Sequence, residues 1–272
     1  MFSLTRTMSR QCLASIAAII MFIGIIAGNA MATDSANVKL DTTKTEGWDG
    51  VAGAGPISIP RYVGGSKIQT LPMPILSINY NETFYVEIAR VGVYVLASDD
   101  KKIGLGLAIE PRFGFNASAD PRLAGMTTRR NSAEGGLTFD WDFDVVAVSV
   151  AQFGDLNHSS KGSSQRLSVY APFVKNNRWE IGALFALDRM SAKVTQYFFG
   201  VAPAEATATR PATRLNANTN LGVGLSGTYK TDKRHAILFG ANLSKIGREA
   251  ARSPIVQTRQ SPLLYLGYGW QL

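Results

Sequence analysis

The chain has 272 residues, a formal net charge of +8, 18% charged residues and 26 glycines. That length holds one large domain or two small ones, and the charge density is low for a surface facing only water. Lys and Arg are dispersed, with small groups at Arg129-Arg130 and Lys233-Arg234 and no stripe of interleaved aromatics, so nucleic acid is not an indicated partner. Solvated loops account for these cations, and contact with anionic lipid headgroups or a polyanionic surface polymer is the second reading.

The chain opens with Arg6 and Arg10, an apolar run over 12–28 and the small-residue pattern Ala30-Met31-Ala32. Residues 1–32 therefore read as a secretory signal peptide. Cleavage after Ala32 would take the formal charge from +8 to +6 and remove Cys12, the single cysteine. An exported chain without cysteine forgoes disulfides, so its fold must be held by other means. Residues 33–47 are polar and read as a flexible periplasmic tail.

From residue 48 onward no run of 18 apolar residues occurs, which excludes a spanning helix there. Side chains alternate with period two instead. Eleven strand-like segments follow one another: 48–59, 69–80, 84–97, 102–116, 133–143, 144–153, 164–175, 178–190, 217–231, 234–246 and 262–272. The alternation slips near Arg90, which suggests a bulge. In 102–116, Ile103, Leu105, Leu107, Ile109, Phe113 and Phe115 share one face, and small residues, Glu110 and Arg112 share the other. The last segment places Leu264, Leu266, Tyr268, Trp270 and Leu272 on one face.

Segments of this length suit tilted strands crossing a bilayer. The long connections 117–132, 191–216 and 247–261 all emerge on one side. The apolar faces carry aromatics near strand ends, as an interfacial girdle would: Trp141, Phe143, Trp179, Tyr268 and Trp270. The opposite faces are rich in Gly, Ala and Ser, poor choices for a solvated exterior. The expected fold is therefore all-β: a transmembrane antiparallel up-and-down β-barrel over 48–272. A closed single-chain barrel needs an even number, so twelve strands are expected, the missing one within 191–201, with ten as the alternative.

Such a barrel encloses Glu87, Glu110, Arg112, Glu134, Asp140, Asp142, Arg166, Glu180 and Asp188 in its lumen. These charges can pair into a plug that holds the barrel, or line a narrow polar passage or binding cleft. Within 191–216, Tyr197, Phe198 and Phe199 are three adjacent aromatics, too costly to leave in water, so this segment is expected to fold over or into the barrel mouth. No catalytic, metal or cofactor site is indicated. The two histidines, His158 and His235, are far apart, and His158 lies beside Ser159 and Ser160 in a short connection that reads as a turn.

Several stretches together resemble one family. They are "PRYVGGS" (60–66), "LPMP" (71–74), "GLGLAIEPRFGF" (104–115), "RLAGM" (122–126), "YFFGVAPAEA" (197–206) and "SPIV" (253–256) before a last strand ending in "YGW". In order and spacing the chain is similar to the MipA/OmpV family, the MltA-interacting proteins of the Gram-negative outer membrane. The resemblance implies an outer-membrane barrel in contact with lipid and lipopolysaccharide. It implies a non-enzymatic scaffold or structural role linked to a murein hydrolase and a murein synthase. A narrow channel or a small-molecule- or lipid-binding barrel is the alternative.

Overall fold

The computed structural model describes residues 47–272. Residues 1–46, which include the leader and nearly all of the tail read above, lie outside the described residues. Twelve antiparallel strands close into one barrel. They are β1 (Trp48–Pro60), β2 (Ile68–Tyr80), β3 (Phe84–Glu87), β4 (Arg90–Ala97), β5 (Ile103–Arg112), β6 (Ser132–Asp142), β7 (Ala147–Asp155), β8 (Ser163–Lys175), β9 (Trp179–Met190), β10 (Asn218–Lys230), β11 (His235–Lys245) and β12 (Gln260–Gln271). Each strand pairs with its sequence neighbours, and β1 closes the ring on β12 from Val51↔Gln271 to Ser58↔Leu264. Closure pairs the edge strands with each other, which is what hydrocarbon demands of a spanning sheet.

The twelfth strand is not in 191–201. That stretch contains helix α1 (Ala192–Phe199). The slip near Arg90 is not a bulge either. It is a complete reversal, with Ile88 at positive φ between β3 and β4, so the single segment 84–97 is two short strands. The true irregularity lies between Tyr94 and Leu96, against β5. The three long connections now follow β5, β9 and β11 and still share one end.

The short β3–β4 hairpin leaves a notch in the wall. Beside it, β2 pairs with β3 only from Ser77 to Tyr80, whereas its other edge pairs with β1 along its full length. The amide of Ile88 donates to the Leu76 carbonyl at 2.6 Å, so Leu76 turns its backbone toward the hairpin. Backbone direction alternates residue by residue, so Pro74 and Pro72 turn the same way. Across the notch, Lys102 offers its carbonyl to Asp142 on β6, so the odd-numbered residues of β5 face β4. Pro111 is the first of these beyond the last β4 partner, which pairs with Ile109. On both edges, then, proline stands where an amide would otherwise aim an unpaired donor into the notch.

The outward face is apolar, with Leu107, Ile109, Leu137, Val223, Leu264 and Leu266 all exposed. Ile103, Leu105, Leu107 and Ile109 of β5 point outward, but Phe113 and Phe115 do not face lipid. Strand β5 ends at Arg112, and both rings turn inward. Phe113 packs on Ile57, Ile59 and Met73 beside the notch, and Phe115 joins Tyr62, Leu123, Met126, Val201 and Ile255.

The bore itself is two-sided. Along β1, β2 and β12 it is lined by Val51, Ile57, Ile59, Met73, Ile75 and Tyr265. Along β4 to β9 it is charged. The glycines of the wall have a shared use. A Cβ built on Gly92 would sit 2.2 Å from the Tyr85 ring, on Gly104 2.7 Å from Tyr94, on Gly182 2.2 Å from Tyr170 and on Gly240 2.2 Å from Tyr265. Each inward tyrosine lies on the wall over a glycine of the adjoining strand, where any side chain would displace it.

Candidate functional site

Three layers follow one another down the bore. The middle layer is an ion cluster. Cross-strand register sets Glu110 opposite Glu134 on β5 and β6, and Arg166 opposite Asp188 on β8 and β9. Like charges placed opposite each other repel; here arginines are inserted between them. Arg112 binds Glu134 at 2.7 Å through Nε and Asp188 at 2.8 and 3.0 Å through its two Nη atoms. Arg166 reaches Glu134 at 3.1 Å and Asp188 at 3.4 Å, and also pairs with Glu110. Arg90 binds Glu110 at 2.8 Å.

Both Arg90 and Arg166 lie over the Phe153 ring, 5.7 Å from its centroid. The links from β5 to β8 and β9 span the bore. Three guanidinium groups meet three carboxylates, all buried, so the cluster is electrically balanced in a place where an unpaired charge would be very costly.

The outer layer is a cap made by the long connections. Helix α1 buries Val194, Phe198 and Phe199 against Met190, Leu215, Ile246 and Ala250. Tyr197 packs at the edge of this cluster, in edge contact with Phe198. Arg129 holds Glu205 through two bonds of 2.7 and 2.9 Å and donates to the Tyr197 carbonyl at 2.8 Å. Burial alone would raise the Glu205 carboxyl, but the Arg129 guanidinium and the amides of Thr127 and Ala202 outweigh it and hold the group down at about 2. Arg210 ties the same loop to the carbonyls of Ala124 and Glu205.

The Tyr62 hydroxyl donates to the Ile255 carbonyl at 2.8 Å, and burial, aided by the nearby Asp120 charge, pushes it up to about 12. Gln257 bridges Tyr62 and Asp120. Five of the stretches that carried the family resemblance, around Tyr62, Phe115, Leu123, Phe199 to Glu205 and Ser253 to Ile255, meet in this cap.

The third layer, at the short-turn end, is a vestibule of about 310 Å³. Glu87, Asp140 and Glu180 stand on its wall beside Tyr85, Tyr94 and Tyr170, and Asp100, Asp142, Asp144 and Lys102 form its rim. The nine lumen charges expected from the sequence therefore divide. Glu110, Arg112, Glu134, Arg166 and Asp188 join the buried cluster, whereas Glu87, Asp140, Asp142 and Glu180 line the vestibule.

Arg90, Arg129 and Glu205 were not among the site residues expected from the sequence. Arg90 was obscured by the unresolved hairpin, and the Arg129–Glu205 contact spans 76 positions that no periodicity connects. Trp141, Phe143, Trp179, Tyr268 and Trp270 all face outward at the vestibule end. Trp141 stacks on Phe143 there at 4.2 Å, Trp179 meets Tyr229 in a tilted contact at 4.3 Å, and Trp48 with Tyr80 extends the row. His158 turns its ring to the Leu156 carbonyl, and His235 to Asp232.

A closed antiparallel barrel with an apolar exterior, outward aromatics at one rim and enclosed charges defines an integral β-barrel of the outer membrane. The chain belongs to the family described as MltA-interacting protein MipA, whose profile matches residues 52–272. It is similar to outer membrane protein OmpV of Vibrio cholerae, 21% identical over 186 residues covering 68% of this chain and 72% of that protein. Outer membrane protein Omp26La of Vibrio anguillarum is 24% identical over 134 residues, which is 49% of this chain and about half (52%) of that relative's length. Among solved structures, Ail, the attachment invasion locus protein of Yersinia pestis, aligns with 84% of this chain and 100% of its own at 9% identity, with a TM-score of 0.28. The protein is located in the outer membrane. Barrels of that membrane carry their long loops outside and their short turns in the periplasm, a rule that puts the cap outside and the vestibule toward the periplasm.

Proposed function

We infer that this barrel is a non-enzymatic scaffold of the cell envelope, blocked to solutes and presenting its periplasmic turns, with the tail of residues 33–47, to murein-processing enzymes. Residues 1–32 serve as the export signal in this reading. Lipid and lipopolysaccharide surround the apolar wall, and the outward aromatics mark its interfacial belt. One observation carries the reading: a balanced ion cluster crosses the bore beneath a cap of interlocked loops, an arrangement suited to holding a barrel shut. The family description, MltA-interacting protein, supports a murein enzyme as partner.

The barrel, affinity-tagged at an outer loop and purified from gently solubilised envelopes, is expected to bring a murein hydrolase or synthase with it. In planar bilayers it is expected to pass no ionic current. Steady single-channel conductance, or purification free of any murein enzyme after cross-linking, would overturn the reading. A small-molecule-binding barrel is the second reading, favoured by the open volume of the vestibule.

A further inference from the structure

The geometry points to the periplasmic vestibule as a binding site for a linear polyammonium cation, a polyamine of the spermidine type. Its charge is the first argument. Seven carboxylates and three lysines line it, on a chain whose overall balance is strongly basic. One of those lysines, Lys102, is already held by Asp144 at 2.6 Å on the rim.

The second argument is a pair of polar atoms without partners. Tyr170 is 4% exposed, lines the vestibule, and its hydroxyl has no hydrogen-bond partner. Oδ2 of Asp140, on the same wall, is likewise buried without one. A buried polar group left unmatched costs about 1–3 kcal/mol, so both gain from a donor that enters the cavity.

The shape of the charge selects the ligand. Among the described residues no three His, Cys, Asp or Glu side chains converge closely enough to hold a metal ion. The acids are instead spread from the Asp140 wall to the Asp142 and Asp144 rim, which suits ammonium groups spaced along a chain. Between them lie aromatic surfaces. Tyr85 and Tyr94 meet in a tilted contact at 5.2 Å, and Tyr85, Tyr94 and Tyr170, each laid over a glycine, line the cavity. Ring faces attract cations and cover methylenes. A polyamine's ammonium groups would meet Asp140 and Asp142, its methylenes the tyrosines, and one N–H the Tyr170 hydroxyl.

This site is independent of the scaffold reading, because its test contains no murein enzyme. Spermidine is titrated calorimetrically into the full barrel in detergent micelles, with folding checked by heat-modifiable gel mobility. Saturable binding is expected. It should weaken at least tenfold in the Asp140→Asn/Asp142→Asn variant and several-fold in Tyr170→Phe. Gly182→Ala, which keeps every charge but takes the seat of the Tyr170 ring, should weaken it similarly. If the double variant does not fold, Tyr170→Phe and Gly182→Ala decide the matter. Absence of binding to the wild type would overturn the proposal. So would unchanged binding in the folded variants, or full displacement of spermidine by magnesium at equal charge concentration, since that is the behaviour of a diffuse counterion layer.

Discussion

The outer and periplasmic halves of this barrel treat charge in opposite ways. In the outer half the three acids of the cluster and Glu205 of the cap each meet an arginine, Asp120 meets Lys67, and the loops interlock over them. In the periplasmic half carboxylates outnumber lysines and face an open volume. The same chain thus uses ionic groups once as internal cross-links and once as a charged surface. It does so without a cysteine among its described residues, so the ion cluster occupies a place that disulfides fill in many exported proteins.

This contrast is tested most severely in the middle layer. Removing one member of a buried, balanced cluster leaves its partners charged and unmatched, a loss of about 3–5 kcal/mol. Arg112→Ala and Glu134→Ala are each expected to lower the unfolding free energy measured in urea by that amount or to prevent folding. The pair made together is expected to cost less than the sum, because it removes opposite charges. Strict additivity in that cycle would show that the cluster does not act as a unit.

The cap comes next. Glu205→Gln removes a carboxylate that receives two arginine bonds and is expected to cost about 2 kcal/mol. Because the folded carboxyl is held at about 2, below its ordinary 4.5, its contribution is complete above pH 4.5 and is lost as pH falls toward 2. Thermal unfolding scanned over that window is expected to slope less in Glu205→Gln than in the wild type. Trypsin on intact cells is also expected to spare the segment between Lys193 and Arg210, which a loose loop would not resist.

A smaller effect belongs to the notch. Pro74→Ala restores an amide donor that faces no strand, at a cost of about 1 kcal/mol in hydrocarbon. Chemical denaturation in micelles measures the loss, and cross-linking shows whether two copies now pair along that edge. A stabilised monomer would mean that the amide finds a partner and that the notch is not open to lipid.

Much of this architecture was legible from residue alternation. The outward faces of β5, β6, β10 and β12 carry their apolar residues two apart, and a barrel wall exposed to lipid leaves no other arrangement. The β3–β4 hairpin was hidden because its turn is two residues long and its strands are short, so the reversal resembled a slip in phase. Phe113 broke the pattern for a different reason: the strand ends one residue before it, and alternation says nothing of a side chain that leaves the sheet. Strands β1 and β2 place Ile57, Ile59 and Met73 inward, so an apolar residue is not by itself a sign of the lipid face. Partners across the bore, such as Arg112 with Asp188, lie 76 positions apart and are set by strand order and stagger. Gly92, Gly104, Gly182 and Gly240 read as mere lack of bulk in the sequence, whereas in the barrel each lies beneath a tyrosine ring.

The smallest stability effect is expected in the vestibule, and it discriminates most sharply between the two uses of charge. Asp142 stands on the rim, where its carboxylate accepts from the Asp144 amide at 2.8 Å, and water reaches it. Asp142→Asn keeps an oxygen for that amide and removes one of several like charges. Stability should therefore change by no more than about 0.5 kcal/mol. Any gain should shrink as salt is added, since relief of repulsion between exposed charges is screened. Urea unfolding of this variant at low and high salt makes the comparison with Glu134→Ala direct. A loss comparable to that of Glu134→Ala would mean that the vestibule carboxylates also hold the fold, and the two halves would no longer differ in kind.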